Sequence, residues 1–204
     1  TKGLRTTKGS PLLADFLPDH DDLLVARMRA AGAIFIGKTN TPEWGHGSHS
    51  FNPVFGATRN PYDLTRSAGG SSGGAAAALA ARMVPVADGS DMMGSLRNPA
   101  AFCNVYGFRP SYGLVPSDPV GDTFLHQLAT DGPMARTVRE AAQLMNYFPN
   151  GQGLVLRSTK AVSEKILDAI SLKLLVTGNV FMTGESGMYF THDIDKATRG
   201  KLLR

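Results

Sequence analysis

"GGSSGGAAAALAA", residues 69–81, sets two adjacent serines between two glycine pairs and runs directly into seven residues, six of them alanine. Flexible linkers are rich in Gly and Ser, but they do not lead into strong helix formers. The stretch therefore reads as a tight, backbone-exposing turn that opens a helix. Working outward, strand and helix signals alternate. Upstream, "DHDDLLVARMRAAG" (19–32) predicts a helix with acidic residues at its start, Leu24, Met28 and Ala31 on one face, and Gly32 to close it. "AIFI" (33–36) is wholly apolar and predicts a strand buried on both faces. Residues 37–68 carry Pro42, Pro53, Pro61 and several glycines, which predicts a long ordered loop or broken segments. Downstream, "MVPVADG" (83–89) and "NVYGFRP" (104–110) predict strands, separated by a turn at 89–94 and a helical turn starting near Ser95. "TVREAAQLMNYF" (137–148) predicts a helix with a capping box, Thr137 and Glu140. This alternation implies an α/β fold with a largely parallel sheet.

Bulk properties bound the function. A chain of 204 residues suits one domain or a large piece of one, and 42% hydrophobic with 19% charged residues is ordinary for a globular protein. The net charge of +4 is scattered, without a basic stripe or interleaved aromatics, which argues against nucleic-acid binding. A single cysteine excludes an internal disulfide and fits a reducing, cytoplasmic setting. No apolar run approaches the roughly 20 residues that span a bilayer. The chain starts at Thr1 without Met, so a lost N-terminus is expected. After residue 148 the character changes: "PNGQGLVLRST" reads as a connector, "KAVSEKILDAISLKLL" as an amphipathic helix and "GNVFMTGESGMYF" as a hairpin.

Several candidate motifs dissolve on inspection. "GAIFIGKT" (32–39) fits the phosphate-loop pattern, but its inner residues belong in a strand and the helix precedes rather than follows. His46 and His49 lack further ligands at metal-binding spacing and read as loop residues making ordinary hydrogen bonds. Cys103, in an apolar setting, reads as a buried small side chain. The serines differ. "GGSSGG" (69–74) and "GSDMMGS" (89–95) each precede a helical stretch. A serine there has backbone N–H groups and a positive dipole end beside its hydroxyl, suited to an oxyanion. The competing reading is two well-capped helices.

The whole segment "GGSSGGAAAALAARMVPVADGSDMMGSLRNPAAFCNVYGFRPS" resembles the signature of the amidase signature family, as do "GLRTTKGSPLLADF", "RMRAAGAIFIGKTNTPEWG", "NPVFGATRNPYDLTRSAGG" and "GPMARTV". The resemblance covers residues 1–148 and implies that family's fold, here incomplete: a mixed, largely parallel sheet with helices on both faces. Residues 149–204 are left as a tail that could belong to the same domain. It further implies a Ser–cis-Ser–Lys triad. Ser71 would follow a cis peptide bond and relay a proton, Ser95 would be the nucleophile, and the N–H groups of Met92, Met93, Gly94 and Ser95 would form the oxyanion hole. Ser72, Asp91 and Arg97 would support them. Position 93 is Met where the family pattern has Gly, which would alter the turn or narrow the pocket floor. The family's lysine lies in a Lys-Asp pair upstream of "GLRTT", a position before Thr1, so neither Lys2 nor Lys8 inherits the role and the chain as given is expected to be nearly inactive. The implied activity is hydrolysis of a small carboxamide through a serine acyl-enzyme, with no cofactor or metal, no membrane, and a homodimer as a candidate assembly. The alternatives are the ammonia-generating subunit of a tRNA-dependent amidotransferase and an inactive fragment serving as a binding module.

Overall fold

The computed structural model describes residues 1–116 and 128–148, so the connector, helix and hairpin expected within 149–204 lie outside the described residues. The first helix, α1 (Leu23–Ala30), buries Leu24 and Met28 as its spacing predicts, while Ala31 is exposed. Gly32 closes it at φ +92°, with the Gly32 and Ala33 N–H groups donating back to Arg29 and Met28 at 3.0 Å. Residues 33–36 depart from expectation. They form no strand, and Ile34 and Ile36 are 88% and 75% exposed. A strand exists only where a neighbour takes up its N–H and C=O groups, and none of the described residues lies alongside. One side alone is covered, with Ala33 and Phe35 packed against the Leu24–Met28 cluster.

Residues 37–68 are the broken segment expected. Strands β1 (Phe51–Asn52) and β2 (Gly56–Ala57) pair antiparallel, as do β3 (Arg59–Asn60) and β4 (Asp63–Ser67). Such short ladders hold few bonds, and side-chain amides replace the rest. Asn52 donates to the Thr41 carbonyl at 2.7 Å and accepts from the Val54 and Phe55 N–H groups, and Asn60 donates to the Phe102 carbonyl at 2.7 Å.

The core is built around a three-stranded sheet of β5 (Val86–Asp91), β6 (Tyr106–Gly107) and β7 (Thr130–Ala135), in the order β5–β7–β6. Helices α2 (Gly73–Ala80) and α3 (Arg97–Phe102) precede and follow β5, and α4 (Val138–Met145) follows β7. Successive strand residues point to opposite faces. Ala87 packs with Ala75, Ala76, Leu79, Leu96 and Met134 beside α2 and α3, whereas Val86 packs with Leu24, Met28, Leu144 and Phe148 beside α1 and α4. The α/β class with helices on both faces thus holds. The strand pairing differs: among the described residues every pairing is antiparallel. The helix-linked strands β5 and β6 do run parallel to each other, but β7 inserts between them. Its "TDGPMA" sequence contains Pro133, which supplies no N–H to a ladder. Here Pro133 contributes its carbonyl instead, accepting from the Phe108 N–H at 3.0 Å.

Candidate active site

Two turns meet at the edge of the α2–α3 layer. The first is residues 69–74, and the Gly70–Ser71 peptide bond is cis, as the resemblance implied. Ser71 is 4% exposed, its carbonyl accepts a bond from Ser50 Oγ at 2.9 Å, and among the described residues its hydroxyl has no partner. Glycine is required at position 70, where a Cβ would lie 2.8 Å from the His49 backbone nitrogen. The second turn follows β5 and carries Ser95. The Ser72 N–H donates to the Ser95 carbonyl at 3.2 Å, which ties one serine turn to the other. The Ser72 hydroxyl accepts from the Ser90 N–H at 3.2 Å and donates to its carbonyl at 3.4 Å, so the same residue also grips the strand leading to the second turn.

The helix-cap reading of the serines can be checked against the cap geometry. Ser72 is the N-cap residue of α2 yet makes no side-chain cap bond, and the N-cap of α3 is Leu96 rather than Ser95. The serines are not serving as helix caps. A helix dipole is not the main resource either, since α3 spans only six residues. The N–H groups of the turn itself are therefore the main-chain donors to consider there.

Asp91 organises that turn. Its side chain is fully buried, and its carboxylate accepts from the Gly94 N–H at 2.7 Å, the Leu96 N–H at 3.2 Å and Arg97 Nε at 2.9 Å. Burial pushes the Asp91 pKa up, but the bonds from Arg97, Gly94 and Leu96 more than offset this and leave it at about 2. Arg109 adds a second guanidinium: Nη1 donates to the Asp91 carbonyl and, at 3.1 Å, to Oδ1, while Nη2 reaches the Leu128 carbonyl at 2.9 Å. Arg109 lies in the "FRP" stretch of the family pattern, but no property of the sequence showed that it reaches back to Asp91.

Of the four expected oxyanion donors, Gly94 is the exception, because its N–H is already taken by Asp91 Oδ1. Gly94 turns the chain instead, at φ +108°, in a site where a Cβ would meet Asn98 at 2.7 Å. The N–H groups of Met92, Met93 and Ser95 have no acceptor among the described residues. Met93 is 85% exposed and lies outside the left-handed region, so its backbone does not need the conformation that glycine favours. Cys103 is fully buried, with Sγ 3.6 Å from the Ala68 carbonyl, and burial pushes its thiol to about 11, as suits an inert side chain. His49 Nδ1 lies 2.9 Å from Ser67 Oγ. Lys8 stands 5.9 Å from the Trp44 ring, and among the described residues no lysine bonds to Ser71 or Ser95. No described helix is long and apolar enough to cross a membrane.

The sequence and the fold have counterparts among known proteins. The Amidase family model matches residues 1–162. A glutamyl-tRNA(Gln) amidotransferase subunit of Thermus thermophilus is 51% identical over 146 residues, which cover 72% of this chain and 31% of that protein. Its namesake in Coxiella burnetii is 48% identical, with 72% and 30% covered. The chain thus spans about a third of the length of the curated relatives it matches. Among solved structures, 6-aminohexanoate cyclic dimer hydrolase complexed with substrate superposes with a TM-score of 0.70 at 41% identity, covering 74% of this chain and 32% of that one. The corresponding amidotransferase subunit from Thermotoga maritima superposes at 0.67 with 32% identity, covering 90% and 47%.

Proposed function

Because the chain belongs to the Amidase family, we propose that it is the serine-bearing segment of an enzyme that hydrolyses carboxamides. The observation that carries this reading is the bond between the two turns, made by serines that cap no helix. Ser95 Oγ attacks the amide carbonyl carbon and the carbonyl oxygen takes up the negative charge. The N–H groups of Met92, Met93 and Ser95 are the donors available to it. Ser71 passes the nucleophile's proton toward the departing nitrogen, so that ammonia or an amine leaves as the C–N bond breaks. Water then attacks the Ser95 ester by the reverse proton route. The resemblance assigns the base to a lysine of a Lys-Asp pair, and none of the described residues takes that part. No cofactor enters this chemistry. We place the reaction in the cytoplasm, with residues 1–148 forming part of the catalytic core and a homodimer as its assembly. The test is covalent labelling of the full-length protein by a fluorophosphonate. Labelling that disappears in Ser95→Ala is expected, and labelling that persists there rejects the nucleophile.

A second reading is the ammonia-generating component of a tRNA-dependent amidotransferase, favoured by the 51% and 48% identities to proteins of that name. The two readings separate in one assay. A self-sufficient amidase turns over simple amides alone, whereas an amidotransferase component releases ammonia from glutamine at an appreciable rate only with its partner proteins and charged tRNA present.

A further inference from the structure

Ser50, which directly precedes β1, touches neither turn's reacting hydroxyl, yet it is 1% exposed and makes four bonds to main-chain groups. Its N–H donates to the Gly69 carbonyl at 3.0 Å and its carbonyl accepts from the Thr58 N–H at 2.8 Å. Its hydroxyl donates to the Ser71 carbonyl and accepts from the Gly73 N–H, both at 2.9 Å. The turn is shaped to admit it, since a Cβ on Gly73 would come within 2.5 Å of Ser50 Oγ. We infer that Ser50 is a positioning residue that fixes the direction in which Ser71 presents its hydroxyl, an inference that rests on the amidase reading above.

The physical argument is one of restraint on both sides of a single side chain. Holding the Ser71 carbonyl fixes the peptide plane that follows Ser71, and holding the Gly73 N–H fixes the plane two residues on. Together with the grip on Gly69, these bonds leave the Cα–Cβ bond of Ser71 little angular freedom. A hydroxyl can do this because it donates and accepts at once, in a space that a larger polar side chain would overfill. Alanine would keep the fold of the loop but leave the Ser71 carbonyl and the Gly73 N–H without their buried partner.

The test uses the full-length protein with its active sites titrated by a fluorophosphonate. Ser50→Ala is expected to lower kcat per titrated site by roughly 10- to 100-fold, with KM changed less than about twofold, and to speed hydrogen exchange at the Gly73 N–H. Should Ser50→Ala fold poorly, Ser50→Cys fills the same space with a weak hydrogen-bonding group and is expected to show the same fall in kcat. A wild-type kcat per titrated site overturns the inference. So does a loss confined to the number of titrated sites, which is what a merely structural role would produce. If the wild-type protein itself hydrolyses no amide, the amidase reading fails, and exchange at Gly73 then decides the clamp alone: unchanged exchange overturns it, faster exchange upholds it.

Discussion

Ser71 and Asp91 are both buried polar residues, but they answer opposite demands. The Asp91 carboxylate is satisfied by main-chain N–H groups and two guanidinium groups, which lets it stay ionised with no exposure. Asp91→Ala would strand Arg97 and Arg109 and leave the Gly94 and Leu96 N–H groups without an acceptor. The expected loss is on the order of 2–4 kcal/mol, less than for a wholly buried pair because Arg97 is half-exposed, and urea unfolding would measure it. Ser71 instead keeps its hydroxyl uncommitted. Ser71→Ala in the full-length protein is expected to reduce amide turnover by about 10²- to 10⁴-fold while leaving the melting temperature nearly unchanged, and a wild-type rate would remove it from the mechanism. Cys103, whose thiol is held near 11, should resist iodoacetamide at neutral pH in the folded state and react only after unfolding. The places of Ser71, Ser95 and Asp91 in the two turns are legible because glycine spacing and the order of motifs mark them. Those of Ser50 and Arg109 are not, because each acts through bonds spanning 21 and 18 residues of sequence.

Elements with local causes are legible in the same way. The alanine run makes α2, and the capping box that opens α4 is present on both sides: the Glu140 N–H donates to Thr137 Oγ at 3.2 Å and the Thr137 N–H to Glu140 Oε2 at 3.0 Å. Thr137→Ala should therefore cost about 1 kcal/mol, visible as a lower denaturation midpoint with an unchanged slope. Elements with non-local causes escape a reading by composition. Residues 33–36 have a strand's composition but no strand beside them among the described residues. The β7 segment carries Pro133 and Gly132 yet pairs on both sides. Gly132 fits there because a Cβ would run into the Phe108 carbonyl oxygen and lie 2.7 Å from Leu96 Cδ1, constraints set by residues far away in sequence.

Across the whole molecule, the two faces of the sheet differ in their electrostatics. Asp131 on β7 is largely buried, and that burial, together with repulsion from Asp88 and Asp22, raises its carboxyl from 3.8 to about 6. A carboxyl raised in the folded state favours folding when protonated. Its contribution is complete below pH 3.8 and is lost as pH rises through about 6. Asp131→Asn should accordingly be more stable than wild type at about pH 8, by on the order of 1–2 kcal/mol in urea unfolding, and show no advantage near pH 4. The α/β class and the helices on both faces are visible in the alternating pattern of the sequence. The strand order is not, since nothing local says that β7 separates β5 from β6. That order has a consequence during synthesis. The ribosome delivers the chain N-terminus first, at about 5–20 residues per second, so both serines emerge well before Thr130–Ala135. In that interval β5 lacks its pairing with β7 and Arg109 has no Leu128 carbonyl to hold, although every serine of the site is already outside the tunnel. A nascent chain whose emerged portion ends near Gly113 would carry the site's serines outside the tunnel but not β7, and would present the edge of β5 and the side of Leu96 that Met134 later covers to chaperones.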